Sequence, residues 1–259
     1  MMLFEEERKR EMAQYVQSKG RALVPELAEQ FQVSESTVRR DLRDLEESKQ
    51  LRRTHGGAVA IEQDSAEPTF MEKEDRYRVQ KEEIARCALS FIEAGDTIFL
   101  DSGTTTYYLA KLLKDIQELT VVTNSNMVAK ELKQAKQIQL LLTGGSLRHD
   151  TQAMVGPLAN RSIGAIRVDK LFLAINGVDS TAGLTTPNLT EAETKRCMIH
   201  ASKQIILMAD HSKFGQVSFA KVADLSEIHH CIVDQGITAD SISDMEAEGI
   251  KVTIAGRAS

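Results

Sequence analysis

Two groups of residues in this chain have the types and spacing needed to hold anions. The first is Ser34, Ser36, Thr37, Arg39, Arg40 and Arg43, followed by Arg52, Arg53 and His55. At 100° per residue Ser36, Arg40 and Arg43 fall on one helical face, and Val38, Leu42 and Leu45 on the opposite one. The apolar face can pack on neighbouring helices, which leaves the other to enter a groove. Arginine makes bidentate hydrogen bonds to guanine, so Arg40 or Arg43 suits base reading, and the Ser36 and Thr37 hydroxyls suit bases or phosphates. Ser34 stands first, as a candidate N-cap and a further contact. Arg39, Arg52, Arg53 and His55 suit the phosphate backbone, the last three from a basic hairpin that turns on Gly56 and Gly57.

The second group begins with Asp101, Ser102, Gly103, Thr104, Thr105 and Thr106 and continues with Thr123, Asn124, Gly144, Gly145, Asn176, Gly177, Glu193, Lys195 and Lys213. Gly103 lets the backbone approach a ligand, and the three threonines would open a helix whose N–H groups and hydroxyls accept an anion. Lys213 adds a point charge. Asp101, Asn124, Glu193 and Lys195 suit hydrogen bonds to sugar hydroxyls, although Glu193 and Lys195, two residues apart, do not face one another. The combination fits a phosphorylated polyol. Taken singly, each of these charges reads equally well as a solvated surface group.

The elements that must position the first group are legible. Met12, Tyr15 and Val16, with Phe4 before them, mark a helix that stops near Gly20. Val24, Leu27, Ala28 and Phe31 mark a second, with Pro25 in its first turn, where a missing N–H costs nothing. Gln32-Val33 is a tight turn and Ser34 opens the third helix. This order, closed by the basic hairpin, is that of a winged helix-turn-helix, whose recognition helix reads base edges near its N-terminus.

From residue 79 onward short apolar runs alternate with amphipathic stretches. Strands are expected at 97–100, 120–122, 138–142, 171–175, 205–208, 230–233 and 251–254, and helices at 107–113, 127–132, 190–201 and 241–248. Such alternation argues for a mostly parallel sheet covered by helices, an α/β domain. Five consecutive strand exits carry small and hydrogen-bonding residues, at 101–106, 123–125, 143–145, 176–179 and 210–213. Ligands of open α/β sheets bind outside the carboxyl ends of the strands, so the second group is expected to form one pocket there.

Composition sets bounds on these readings. At 259 residues with 42% hydrophobic content the chain has room for two domains. The expected division is a DNA-binding unit at 1–60, a polar linker at 61–76 in which Phe70 and Met71 could dock, and an effector-binding domain at 77–259. The net charge of −6 lies wholly beyond residue 60, because residues 1–60 hold equal numbers of basic and acidic side chains. An acidic second domain is a poor duplex binder, and its anion donors must be local. Cys87, Cys197 and Cys231 lack metal-ligand spacing and read as buried thiols in a reducing compartment. With no signal peptide and no membrane-spanning run, a cytoplasmic protein is expected, without metal, cofactor or membrane partner.

The string 34–42, followed by Leu45-Glu46 and by Arg53-Thr54-His55-Gly56-Gly57-Ala58, resembles the winged helix of the DeoR family of bacterial repressors. The likeness continues through 101–106, Thr123-Asn124, Gly144-Gly145, 183–186, Glu193 and 210–215, so it covers nearly the whole chain. It implies a sensor domain similar to ribose-5-phosphate isomerase and coenzyme A transferase folds. It also implies control of sugar-metabolism genes by a phosphosugar, here most like the glucose-responsive, hexose phosphate type. The implied partners are an operator duplex, the sugar phosphate, and a second copy in a homodimer or homotetramer.

An enzyme reading competes: a phosphosugar isomerase fused to a DNA-binding module, with Asp179, Glu193 and Lys195 as available acid–base groups. The isomerases that the family resembles carry Asp-Gly-Ala-Asp-Glu where this chain has Asn176-Gly177-Val178-Asp179-Ser180. An amide cannot act as a carboxylate base, so binding without turnover is expected.

Overall fold

A computed structural model describes residues 5–19, 21–48, 50–54, 56–60 and 68–256. The chain divides into two compact units, Met1–Ala66 and Glu67–Ser259.

The first unit runs α1 (Glu5–Lys19), β1 (Arg21–Leu23), α2 (Val24–Phe31), α3 (Glu35–Glu47), β2 (Leu51–Thr54) and β3 (Gly57–Ala60). Met12, Val16, Leu27, Val38, Leu42 and Leu51 form its core, each at most 1% exposed. The turn between α2 and α3 passes through Gln32 at φ 51°, and Ser34 caps α3 by accepting from the Thr37 N–H at 3.2 Å. The hairpin β2–β3 is joined on its β3 side by β1, so the wing is a three-stranded sheet. Gly57 permits that pairing, because a Cβ there would lie 2.1 Å from the Ala22 carbonyl oxygen.

The second unit starts with α4 (Phe70–Asp75), α5 (Arg78–Leu89), β4 (Thr97–Leu100), α6 (Thr104–Leu112), β5 (Leu119–Thr123), α7 (Asn126–Leu132) and β6 (Ile138–Leu142). There follow β7 (Ser146–Arg148), β8 (Ala153–Val155), α8 (Pro157–Gly164), β9 (Val168–Leu173), β10 (Gly177–Asp179), β11 (Gly183–Thr186) and α9 (Leu189–His200). The last elements are β12 (Ser202–Met208), β13 (Ala220–Ala223), β14 (His230–Val233), α10 (Ala239–Ala247) and β15 (Lys251–Ile254). Seven strands form one parallel sheet in the order β15-β14-β12-β9-β4-β5-β6. One apolar cluster joins α5, α6 and α7 to one face, and a second joins α8, α9, α10 and the small antiparallel sheet β10-β11-β13 to the other. The chain moves outward from β4 through β5 to β6, then returns to the far side of β4 at β9 and moves the other way. The β4/β9 boundary is therefore the topological switch point, where a crevice opens beyond the strand ends.

The main-sheet strands lie where the apolar runs placed them, except that β9 spans Val168–Leu173 and ends before Ala174, and β12 begins earlier, at Ser202. The hairpin β7–β8, the sheet β10-β11-β13 and helices α4, α5 and α8 have no counterpart in the sequence reading. Strands of three or four residues are too short to show a period of two.

The expected linker at 61–76 needs correction. Residues 61–67 lie outside the described residues, but Pro68 to Arg76 belong to the second unit. Thr69 caps α4 with Glu72 in a reciprocal capping box, and Phe70 is 3% exposed, edge-on to Tyr107 at 5.5 Å. One buried aromatic anchors a segment whose other side chains are polar, and composition averages that anchor away.

Gly57→Ala is expected to cost about 1–3 kcal/mol by overpacking the sheet of the first unit. Chemical denaturation followed by circular dichroism checks this; unchanged stability would show that β1 and β3 are not packed so closely.

Candidate functional site

In the first unit the apolar face of α3 packs inward, with Val38, Leu42 and Leu45 at most 3% exposed. Ser36, Arg40 and Arg43 are exposed on the other face, and neither arginine makes a salt bridge among the described residues. Asp41, which sequence reasoning missed, is fully buried and accepts from Arg8 of α1 at 2.7 and 3.3 Å. This bidentate pair fixes the rotation of α3 on α1, and Lys9–Asp44 at 2.7 Å adds to it. Ser34 shares hydrogen bonds with Ser36 and Thr37 at 2.8 and 2.9 Å, so the three hydroxyls form one cluster at the helix start. Arg39 pairs with Glu35 one turn earlier. Arg53 has Glu46 beside it, whose carboxylate accepts from the Arg53 backbone N–H at 2.9 Å. His55 and the Arg52 side chain lie outside the described residues.

In the second unit a cavity of about 310 Å³ opens at the switch point. Its lining comes from the β4 exit (Ser102, Gly103, Thr104, Thr105), the β9 exit (Ala174, Ile175, Asn176) and the β12 exit (Met208, Ala209, Asp210, Ser212, Lys213). Thr151 of the β7–β8 turn, Glu191 and Lys195 of α9, and several residues between Pro68 and Lys81 complete it. No side chain caps α6, so the N–H groups of its first turn remain available on the cavity side. Five cationic side chains, Lys73, Arg76, Lys81, Lys195 and Lys213, stand against two carboxylates, Glu191 and Asp210. The acidic unit is therefore locally cationic here.

A chain of buried charges forms one wall. The Lys195 ammonium, 2% exposed, donates to Asp101 Oδ2 at 2.5 Å and to the Ala174 carbonyl at 3.0 Å, and lies 3.7 Å from Glu191 Oε1. Glu191 in turn accepts from Arg148. Asp101 also accepts from the backbone N–H groups of Ser102 at 2.8 Å and Ala174 at 3.0 Å. Burial lowers the Lys81 pKa to about 8, and its ammonium donates to the Lys73 and Arg76 carbonyls. The Thr151 hydroxyl is buried on the cavity wall with no hydrogen-bond partner among the described residues.

Of the expected ligand contacts, Ser102, Gly103, Thr104, Thr105, Asn176, Lys195 and Lys213 line this cavity. Others do not. Asp101, Thr106, Thr123 and Asn124 are buried behind it and hold the loop: Asn124 Oδ1 accepts from the Ser102 N–H at 2.9 Å, and Thr106 Oγ1 donates to the Asp101 carbonyl at 2.7 Å. Thr123 Oγ1 donates to the Leu100 carbonyl at 2.7 Å. Gly144 and Gly145 turn the chain toward β7 at φ 66° and 111°, away from the cavity lining. A Cβ on Gly177 would meet the Gln216 carbonyl oxygen at 2.3 Å, so this glycine serves backbone packing.

Glu193 is exposed, and the carboxylate that faces Lys195 is Glu191, four residues before it. The i, i+4 spacing carried that signal and was available in the sequence. Asp179, an available acid–base group in the enzyme reading, is held below the usual carboxylate range by the Ala182 and Thr181 N–H groups of its own turn. Lys81, Lys73, Arg76 and Thr151 had no sequence signal beyond residue type.

A model of the DeoR-like helix-turn-helix domain matches residues 8–64, and one of the DeoR C terminal sensor domain matches residues 77–235. The chain belongs to the DeoR family. It is 40% identical over 247 residues to the uncharacterized HTH-type transcriptional regulator YulB of Bacillus subtilis (strain 168), covering 95% of each chain. It is 38% identical over 246 residues to the HTH-type transcriptional regulator GlpR of Haloferax volcanii, covering 95% of this chain and 96% of that one. A putative aga operon transcriptional repressor of Escherichia coli O157:H7 is 34% identical over 252 residues, with 96% and 94% covered. Among solved structures, ribose 5-phosphate isomerase A of Methanocaldococcus jannaschii aligns at TM-score 0.39 and 16% identity, over 52% of this chain and 53% of that one. This DeoR-family chain is a DNA-binding transcriptional regulator, built from a helix-turn-helix unit and a parallel-sheet sensor unit. No helix among its described residues is long and apolar enough to cross a membrane.

Asp101→Ala is expected to destabilise the sensor unit by about 3–5 kcal/mol, because it leaves the Lys195 ammonium buried without its carboxylate. Equilibrium unfolding in urea measures it; a loss below about 1 kcal/mol would show that the pair is not holding the switch point together.

Proposed function

We propose that this regulator is a repressor of sugar-metabolism genes, released or retained on its operator by a phosphorylated sugar bound at the β4, β9 and β12 exits. The observation that carries the reading is the joining, in one sugar-sized cavity, of the uncapped α6 start with five cationic side chains. A phosphoryl dianion suits the α6 N–H groups and the cations. Glu191, Asp210, Asn176 and the Thr151 hydroxyl suit sugar hydroxyls, and a hexose phosphate offers enough of them to use all four. Names of relatives support control of a sugar operon, since one is a putative aga operon repressor and another an L-fucose operon activator, and the first supports repression. Asn176 in place of a carboxylate, and Asp179 committed to its own turn, support binding without turnover.

On the DNA side, Arg40 and Arg43 read base edges while Ser36, Thr37, Arg39 and Arg53 meet phosphates. Acting as a homodimer or homotetramer, the protein would present two α3 helices to half-sites about 34–36 Å apart. A ligand changes operator affinity only through a difference in its own affinity for the two arrangements, and a coupling of about 1–3 kcal/mol gives roughly 5- to 150-fold.

Two measurements test this. Thermal unfolding with glucose 6-phosphate, fructose 1-phosphate, fructose 6-phosphate and ribose 5-phosphate is expected to show stabilisation of about 2.7 kcal/mol when a binding member is present at 100 times its Kd. An unchanged Tm with every sugar phosphate would overturn the cavity's assignment. Arg40→Ala is expected to lose about 1–3 kcal/mol of operator affinity and to relax base preference at one position, read by anisotropy titration against single-base operator variants. A uniform loss across those variants would instead make Arg40 a phosphate contact.

A further inference from the structure

We infer that Lys73 and Arg76 of the α4 segment contact the phosphoryl group of the effector, so that cavity occupancy tightens α4 against the sensor unit. This rests on the sugar-phosphate reading above and adds the route by which ligand reaches the chain leading to the DNA-binding unit.

The stretch from Pro68 to Lys81 supplies six cavity-lining residues: Pro68, Phe70, Lys73, Arg76, Tyr77 and Lys81. A six-residue helix has no stability of its own, so its place depends on what it touches. Those contacts include the Phe70 ring on Tyr107, the Phe70 N–H donating to the Asp150 carbonyl at 2.7 Å, Lys111 at 3.7 Å from Glu74, and the Lys81 ammonium donating to the Lys73 and Arg76 carbonyls. The buried Lys81 ammonium sits under the last turn of α4, and burial lowers its pKa to about 8, with Asp210 and Glu74 opposing the shift and Lys213 and Lys73 adding to it. Lys73 and Arg76 border the same cavity as Lys213 of the β12 exit, so a dianion bridging the two sides favours docked α4.

The joint behind α4 has the character of a hinge. Tyr77, between α4 and α5, has φ 53°, a left-handed conformation that a bulky residue rarely adopts. Its ring lies edge-on to His211 at 5.0 Å, so the joint is held from the β12 exit that also carries Lys213. With α4 docked, the first fixed residue of the sensor unit is near Phe70; with α4 released, it is near Arg78. Ligand thus alters how closely the chain entering the sensor unit is tied to it.

Hydrogen exchange on the full chain tests this, with the same four sugar phosphates and inorganic phosphate as probes. The sugar phosphate that raises Tm is expected to slow exchange at residues 70–77 by about tenfold or more, alongside protection at 104–106. In the double variant K73A/R76A, saturating ligand is expected to protect 104–106 while protection at 70–77 is lost. Protection at 104–106 without change at 70–77 in the natural chain overturns the inference but leaves the cavity's assignment standing. Undiminished protection at 70–77 in the variant also overturns it. If no probe raises Tm or protects 104–106, the sugar-phosphate reading fails and this inference fails with it.

Discussion

The sensor unit is organised around one ion pair, Asp101 with Lys195, placed where the sheet reverses its order. Both side chains are at most 2% exposed, and charges so deeply buried persist only when their remaining hydrogen-bonding capacity is met. Here the Ser102 and Ala174 N–H groups serve the carboxylate, while the Ala174 carbonyl serves the ammonium. The pair therefore ties the β4 exit, the β9 exit and α9 to a single point. Release of any one of them would leave a buried charge, so the loop 101–106 and the start of α6 are held before ligand arrives. Ligand binding then needs little ordering of this loop.

The same device recurs in the first unit. Asp41, fully buried on α3, is clamped by the Arg8 guanidinium of α1, and its neighbours Arg40 and Arg43 are left pointing outward. In each unit an internal carboxylate takes one cation inward and fixes an element whose other donors face outward or into the cavity. A chain of net charge −6 can thus carry two anion sites, because local placement rather than overall charge sets the field at short range. In the cavity, alternating charges from Arg148 through Glu191 and Lys195 to Asp101 keep Glu191 oriented on the cavity wall.

Much of this architecture was legible from residue order. Helical periodicity placed Val38, Leu42 and Leu45 inside and Arg40 and Arg43 outside, and the structure agrees at each position. Apolar runs marked the seven strands of the parallel sheet, most plainly β4, β9, β12 and β14, whose buried residues are covered on both faces. Short motifs also marked the β4 exit, the hairpin turn at Gly56, with Gly57 opening β3, and Ser34 as a cap, because a tight turn, a close backbone approach and a helix start each demand particular residue types within a few positions.

What the sequence could not decide was which strand exits meet. Asn124 and Gly144 stand at strand exits of the same character as Gly103, yet the exits of β4, β9 and β12 converge, because strand order places them together while β5 and β6 lead away. Nor could it separate Glu191 from Glu193, or detect that a polar stretch at 68–76 folds on one phenylalanine to wall the cavity. Local pattern determined the elements and the chemistry available at their ends, since those depend on neighbours a few residues apart. Contact between groups such as Asp101 and Lys195, 94 positions apart, was decided only when the sheet assembled, because their proximity depends on strand order and crossover, which no local spacing records.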